Sequence, residues 1–484
     1  MQDCAAANAG VSTRYATTSP SCSRRRRASR TDAGPALERV QLGLTAAVAA
    51  TCSVSIFAAE ILLALDTAVF LARLALGRTR LTRTPLDGPI LAFSVWTLLS
   101  ASFSPEPVVS HESAKKLLLF VLPYLAIDAL VETRSRERVM DCVLLGGLAL
   151  AAGAILQYYF LGFDTLNNRP RSFLGHYMTA SGLMMGIVVL AAARLAFGVR
   201  KKWVPSSHDV QSGVGLAAAL ALLTVLQAAD LFAVEGERLF VVGLAAAAVA
   251  MALSRGNWPS AETGASLAVL AIPVSVWALI LSRTRNAWLG AVVGLIVVAL
   301  LRARRVLFWL LAAVCLVIAL RPTPMRDRLT VTDASSRDRY FMWQAAIDMI
   351  RDKPVFGQGP RMVEKVYPTY RWPGAPNPET SHLHNNALQI SAERGLPCLV
   401  WWLWWVAAAM GDAYRETRRD AFGSGWVAAG ALALLVAIMV AGLFEYNFGD
   451  SEILMLILLV SALPYALRRE REGLSQRLAP QPAA

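Results

Sequence analysis

Apolar runs close to the ~20 residues that a membrane-crossing helix needs follow one another along this chain, and few folds can accommodate such a succession. They lie near 40–57, 59–76, 88–103, 115–131, 139–161, 174–198, 213–233, 238–253, 264–282, 287–301, 305–320, 397–411, 425–444 and 452–467. Backbone groups inside lipid must pair within their own segment, so helices are expected rather than open sheets. With 56% hydrophobic residues among 484, the reading is an all-α polytopic membrane helix bundle of about 12–14 transmembrane helices. Glu60 and Asp66 interrupt the first pair of runs and the link between them is short, so this pair is a tight hairpin or one broken helix.

The formal charge of +13 could point to nucleic acid, but Lys and Arg fall in short clusters between apolar runs. Cationic loops retained on the cytoplasmic side have that pattern, and no nucleic-acid partner is expected. If each run crosses once and the basic start is cytoplasmic, then 77–86, 132–138, 198–208, 254–260, 302–305, 412–420 and everything from 468 lie on the cytoplasmic side. Nearly all of these segments are rich in Lys or Arg. The opposite face then holds 102–113, 162–171, 234–237, 282–286, 321–396 and 445–451.

The expected organisation is a disordered basic cytoplasmic tail (1–36), a transmembrane bundle (37–320), an extracytoplasmic loop region with short helices (321–396), C-terminal transmembrane helices (397–467) and a cytoplasmic tail (468–484). The first tail carries Arg24 to Arg27 and no apolar periodicity, and the apolar stretch after it continues too far for a signal peptide. The six cysteines are scattered without CxxC spacing, so neither a disulfide frame nor a zinc site is indicated.

A polar segment of this length between spans is unusual, because most connections are only about 4–6 residues long. It should therefore carry function. It closes on Ser381-His382-Leu383-His384-Asn385-Asn386, with Ala392-Glu393-Arg394-Gly395 behind. His384 is the leading candidate base, since an ordinary imidazole titrates near pH ~6.5. His382 stands two residues away, but helical backbone would turn the pair about 200° apart, and no further ligand sits at metal spacing nearby, so no metal is expected. Asn385 or Asn386 can cap a helix over 387–393, whose N-terminus favours anions, and Gly395-Leu396-Pro397 should end it.

Arg283 and Arg285 lie at a span junction with almost no polar loop, where a mid-membrane guanidinium would cost about 2.5–3.5 kcal/mol; they should sit at the interface or line a polar cavity. Arg339 opens an amphipathic helix running to Ile350 and can pair with Asp338, face solvent or hold an anion. Arg169 and Arg171 are further candidates. Glu393 and Glu445 are the other notable ionisable residues, and such residues more often organise a loop. Trp401, Trp402, Trp404 and Trp405 read as an interfacial aromatic belt. Arginine's planar fork suits phosphate, each charged contact contributing roughly 1.5–3 kcal/mol. A face without ATP requires a donor already activated, such as a polyisoprenyl diphosphate sugar, and no phosphate-binding loop of the G-x-x-x-x-G-K-[ST] type occurs.

Three motifs in order carry a resemblance: Arg285-Asn286-Ala287-Trp288-Leu289; Arg339 to Trp343 followed by Asp352-Lys353-Pro354-Val355-Phe356-Gly357-Gln358-Gly359; and His384-Asn385 with Gly395 downstream. From about Arg283 to Glu452 the chain resembles the O-antigen ligase and O-antigen polymerase superfamily. That resemblance implies a multi-span, all-helical glycosyltransferase of the C type, free of cofactor and metal, using an undecaprenyl diphosphate-linked glycan in the bacterial inner membrane with its site facing the periplasm. It makes His384 the base on the acceptor hydroxyl and Arg285 and Arg339 the diphosphate ligands. Arg283, Arg171, His382, Asn385 and Glu393 are secondary candidates. The chain departs from the pattern in an extra pair of spans around 211–253 and in Cys398.

The expected reaction is an inverting displacement at the anomeric carbon, with the arginines stabilising the departing diphosphate. Lipid A core, another repeat unit or a protein hydroxyl are the competing acceptors. With no soluble domain read after the last span, the expectation leans to a ligase or polymerase of lipopolysaccharide or surface polysaccharide over a protein O-oligosaccharyltransferase. A lipid-linked glycan transporter is the rival from another class, against which stands the lack of internal repeats.

Overall fold

The computed structural model describes residues 21–198, 261–302, 334–419 and 425–478. Among these residues every regular element is helical: α1 (Ser21–Thr51), α2 (Ile56–Ala75), α3 (Asp87–Ser102), α4 (Pro107–Ser113), a 3-10 segment (Ala114–Val121), α5 (Leu122–Ala129), α6 (Thr133–Phe160), α7 (Tyr177–Phe197), α8 (Ala261–Leu281), α9 (Arg285–Arg302), α10 (Ala334–Asp352), α11 (Val363–Tyr370), α12 (Asn386–Arg419), α13 (Trp426–Ala441), a 3-10 turn (Asn447–Gly449) and α14 (Ser451–Leu478). Among the described residues six stretches are long and apolar enough to cross a membrane: Thr133–Phe160, Tyr177–Phe197, Gly264–Leu281, Arg285–Arg302, Asn386–Arg419 and Ser451–Ser475. The chain is thus a polytopic helical bundle. The runs expected at 213–233, 238–253 and 305–320, and with them the extra pair around 211–253, lie outside the described residues.

Several expected elements differ in detail. The first two runs form a hairpin, since α1 and α2 pack on each other across a link of a few residues, with Ser55 capping α2 by accepting from the Ala58 amide. Asp66 is tolerated inside it because Thr45 Oγ1 donates to its carboxylate at 2.8 Å. The run at 115–131 is built from a 3-10 segment followed directly by a short helix, with Pro123 in the first turn of α5. Helical backbone begins at Ser21, within the segment read as a tail, and α14 continues through the second tail to Leu478.

Small residues let the central helices approach closely, as they do where lipid supplies no hydrophobic drive for association. On α9, a Cβ at Gly290 would come within 2.3 Å of Met185 Sδ on α7, and one at Gly294 within 2.5 Å of Val189. This packing seats the short turn between α8 and α9, which carries Arg283, against α7.

The polar segments sort to two ends. At one, Arg73 and Arg469 reach Asp128, Arg136 reaches Glu470, Arg194 reaches Glu137, and Arg468 and Arg471 reach Asp412 and Glu416. These belong to the segments around 77–86, 132–138, 412–420 and 468 onward. At the other, Ser110 donates to the Pro360 carbonyl, Lys116 to that of Gly449, and Arg285 to Ser336.

Candidate active site

The His384 segment is held by backbone pairing that accounts for the glycine motif before it. Gln358 and Gly359 donate their amides to the carbonyls of Ala392 and Glu393, both at 2.8 Å, and Leu396 donates to Pro354 at 2.8 Å. Two backbones can approach so closely only where no side chain intervenes. A Cβ at Gly357 would lie 2.4 Å from the Glu393 carbonyl carbon, and one at Gly395 would lie 1.9 Å from the Val355 oxygen. Gly395, at φ 82°, also breaks α12 into a short entry helix and a long one, where Gly395-Leu396-Pro397 was expected to end the first. From α3, the Trp96 indole N–H donates to the Val355 and Arg394 carbonyls and the Ser100 hydroxyl to those of Phe356 and Glu393.

Asn385 caps the entry helix, its side-chain oxygen accepting from the Leu388 amide at 3.0 Å, while its amide nitrogen donates to the Leu443 carbonyl. Asn386 is buried and bridges elsewhere: its amide donates to the Gly442 carbonyl and its side-chain oxygen accepts from Phe448. These bonds draw the α13–α14 turn over His384. There Glu445, 2% exposed, becomes the centre of the site. His384 Nδ1 lies 2.9 Å from Glu445 Oε2, and His382 Nε2 lies 3.3 Å from Oε1. The two rings meet edge to face at 4.2 Å. In the neutral ring, the tautomer that donates from Nδ1 to this carboxylate has Nε2 as its acceptor nitrogen.

Arg339 extends this cluster, with its guanidinium nitrogen 4.0 Å from Glu445 Oε2 and its side chain 15% exposed. Trp343, one turn on, donates its indole N–H to the Leu383 carbonyl at 3.1 Å. The R-x-x-x-W spacing thus puts both side chains on one helix face, the arginine toward the carboxylate and the tryptophan against the backbone beside His384. Asp338 faces Asn377 instead. Arg285 Nη2 donates at 3.1 Å to the hydroxyl of Ser336, a turn before Arg339 on α10. Arg285, α10, Arg339, Glu445 and His384 therefore form one connected chain of contacts.

The secondary candidates divide. Arg283 is buried, at φ 55°, and lies over the Tyr158 ring at 5.9 Å. Arg171 donates to the Gly175 carbonyl and lies over Phe163, while its amide and that of Ser172 are held by Gln157 Oε1. Glu393 has a structural setting: its carboxylate accepts from the Arg361 amide, Gln389 and Arg394, each at 2.8–2.9 Å. Of the four tryptophans read as an aromatic belt, Trp402 and Trp405 are core residues, and Trp404 is exposed. Four non-glycine residues have positive φ among the described ones, namely Ser172, Arg283, Arg361 and His384, and all lie at this end. Such conformations cost about 1–3 kcal/mol and collect at functional sites.

Burial by itself would raise the Glu445 carboxyl, but the His384 hydrogen bond and the charges of both imidazoles and Arg339 outweigh it and hold the group below its ordinary value. Burial lowers His382, with Glu445 opposing only in part. His176, which caps α7 by accepting from the Met178 amide, is likewise lowered by burial and feels both Glu445 and His384, so this loop also approaches the site. His382, His384 and Glu445 offer ligand atoms within 4.8 Å of one another and could hold a metal ion. This corrects the expectation that no carboxylate stands near the pair: Glu445 is distant in sequence and adjacent in space. The sequence signal for Glu445 was its place between two apolar runs on the face assigned to the loop.

No curated protein matches the chain. Residues 267–403, running from α8 through the arginine pair, α10 and the His384 segment into α12, match the family model described as O-antigen ligase, and over that stretch the chain is similar to that family.

Proposed function

We propose that the protein is a glycosyltransferase that moves a glycan from undecaprenyl diphosphate to an acceptor hydroxyl, in the manner of an O-antigen ligase. It would act in the bacterial inner membrane at the periplasmic face. The observation that carries this reading is the series from Arg285, bonded to Ser336 on α10, to Arg339 one turn on along that helix, and from there to Glu445 and His384. It joins two guanidinium groups, suited to a diphosphate, to an imidazole with a free nitrogen.

In the reaction, His384 Nε2 takes the proton from the acceptor hydroxyl as its oxygen attacks the anomeric carbon. The bond from that carbon to the diphosphate oxygen breaks, and the electron pair leaves with the undecaprenyl diphosphate. One displacement inverts the anomeric centre. Arg285 and Arg339 would stabilise the charge that accumulates on the leaving group, where preorganised donors are most effective. Glu445 would act as a positioning residue, holding the His384 ring by Nδ1 and stabilising the imidazolium that forms. The reading uses no metal: His384 is already held by its hydrogen bond to Glu445 Oε2 and acts as the base itself. The Arg- and Lys-rich loops gathered at the far end of the bundle support a periplasmic site.

Reconstitution of the purified protein with an undecaprenyl diphosphate-linked oligosaccharide and separate acceptors tests the proposal, with product and anomeric configuration read directly. His384→Ala should lower transfer by about 100-fold or more, the scale of a lost general base, with insertion intact. Transfer at the parent rate in that variant would remove His384 as the base. A chelator should leave the rate unchanged, and a loss restored by zinc would replace this mechanism with a metal-dependent one.

A further inference from the structure

On the His382 side of Glu445, away from Arg339, lies a chamber of about 950 Å³. One wall is apolar, made by Leu63 and Ala64 of α2 with Leu118 and Leu119 of the 3-10 segment. It continues into exposed apolar surface, since Ile61, Leu65 and Leu118 are 40%, 51% and 75% exposed. The other wall is polar. Lys115 is paired with Glu112 and Arg394 with Glu393, which leaves Lys116, bonded to the Gly449 carbonyl, and Arg361 as the cations facing the space. Arg361 meets Glu364 at 3.9 Å, in the open, and lies near enough to Glu112 to act on its charge. The remaining lining carboxylates are Glu60 on the α2 wall and Asp450, which already accepts from Thr179.

Two buried polar atoms of lining residues lack hydrogen-bond partners, Arg394 Nε and His382 Nδ1. Unpaired groups of this kind are costly inside a protein, and a ligand or water usually meets them. A wall of methyl groups opening onto exposed apolar surface, set opposite cations, suits a molecule with a hydrocarbon chain and an anionic head. The chain contributes about 0.8 kcal/mol for each methylene buried.

We propose that this chamber is a second lipid site, which takes a phosphate-bearing amphiphile with its head on Lys116 and Arg361 and its chain along α2. The site is separate from the diphosphate site assigned to Arg285 and Arg339, and its occupancy does not depend on the transfer reaction.

The full chain in neutral detergent is titrated with farnesyl phosphate, farnesol and inorganic phosphate, with binding followed by intrinsic tryptophan fluorescence. Farnesyl phosphate should bind about tenfold or more tightly than either of the others. The double variant Lys116→Ala/Arg361→Ala should weaken it by about tenfold, and Ala64→Trp, which fills the chamber from its apolar wall, should do the same. If the double variant is not monodisperse, Lys116→Gln/Arg361→Gln takes its place. In an Arg339→Ala background, which removes the contribution of the diphosphate site, the chamber variants should still weaken binding by about tenfold. Farnesol binding as well as farnesyl phosphate would reduce the chamber to an apolar crevice, and phosphate binding as well would reduce it to an anion site. Loss in Arg339→Ala with none in the chamber variants would place the lipid on the arginine side. Any of these three results overturns the proposal.

Discussion

The two ends of the bundle treat arginine in opposite ways. At the end formed by the Arg-rich loops, guanidinium groups are matched by carboxylates at close range: Asp128 takes Arg73 and Arg469, and Asp412 and Glu416 share Arg468, with Arg415 and Arg419 each one turn from their partners. At the other end one buried carboxylate, Glu445, faces two imidazoles and Arg339 together. Matched charge fastens helices. There Arg339 stands 4.0 Å from a carboxylate already held by His384 at 2.9 Å, so its guanidinium is less fully engaged than those at the far end.

The comparison breaks most sharply on stability against activity. Asp128→Asn leaves Arg73, 8% exposed, without its charged partner, and breaking such a buried pair costs about 3–5 kcal/mol. The thermal midpoint in detergent should fall markedly while transfer per folded molecule stays at the parent value; loss of transfer in the folded fraction would merge the two ends into one function. Glu445→Gln should do the reverse, lowering transfer by about 100-fold with a smaller change in midpoint, because the amide keeps the volume and loses the charge that holds the His384 ring.

Arg339→Lys and Arg285→Lys should each cost about tenfold in transfer, the effect of replacing a bidentate fork by a point charge. Equal rates for parent and variant would take that arginine out of the diphosphate site. Gly395→Ala should destabilise by about 1–3 kcal/mol, since the backbone is left-handed there and the new Cβ meets the Val355 oxygen; a scan of thermal midpoints checks it.

The smallest effect is on pH. His176 and His382 are both held below the ordinary imidazole value, so the unfolded chain binds protons more readily than the folded one. Their stabilising contribution is complete above the unfolded value of about 6.5 and is lost as pH falls through the lower folded values. Thermal midpoints should therefore decline from neutral to mildly acidic pH, and His382→Gln should flatten the decline. A midpoint that rises on acidification would contradict the sign.

Periodicity and charge made much of this molecule legible before any coordinates. The hairpin of α1 and α2 was one of two readings of a short polar interruption. The motifs around Arg285, Arg339, Gly357 and His384 stood in order along the chain, and their spacings have local physical reasons in helix faces and backbone contacts. Within the run at 115–131, apolar composition does not report that a 3-10 segment gives way to α5 at Pro123. The tryptophans were read as a belt because amphipathic rings favour interfaces, yet Trp402 and Trp405 pack edge-on against Phe448 in the core.

What the sequence by itself determined was the class of molecule, the sorting of polar segments to two ends and the residue types able to handle a diphosphate. Those follow from interactions that are local, or that depend only on hydropathy and charge. Tertiary structure alone decided that Glu445, 61 residues beyond His384, would be the carboxylate on its ring, and that Arg283 would turn to Tyr158 while Arg285 reached α10. Partners so far apart along the chain meet only because buried polar groups must be satisfied and packed helices leave them few places to go.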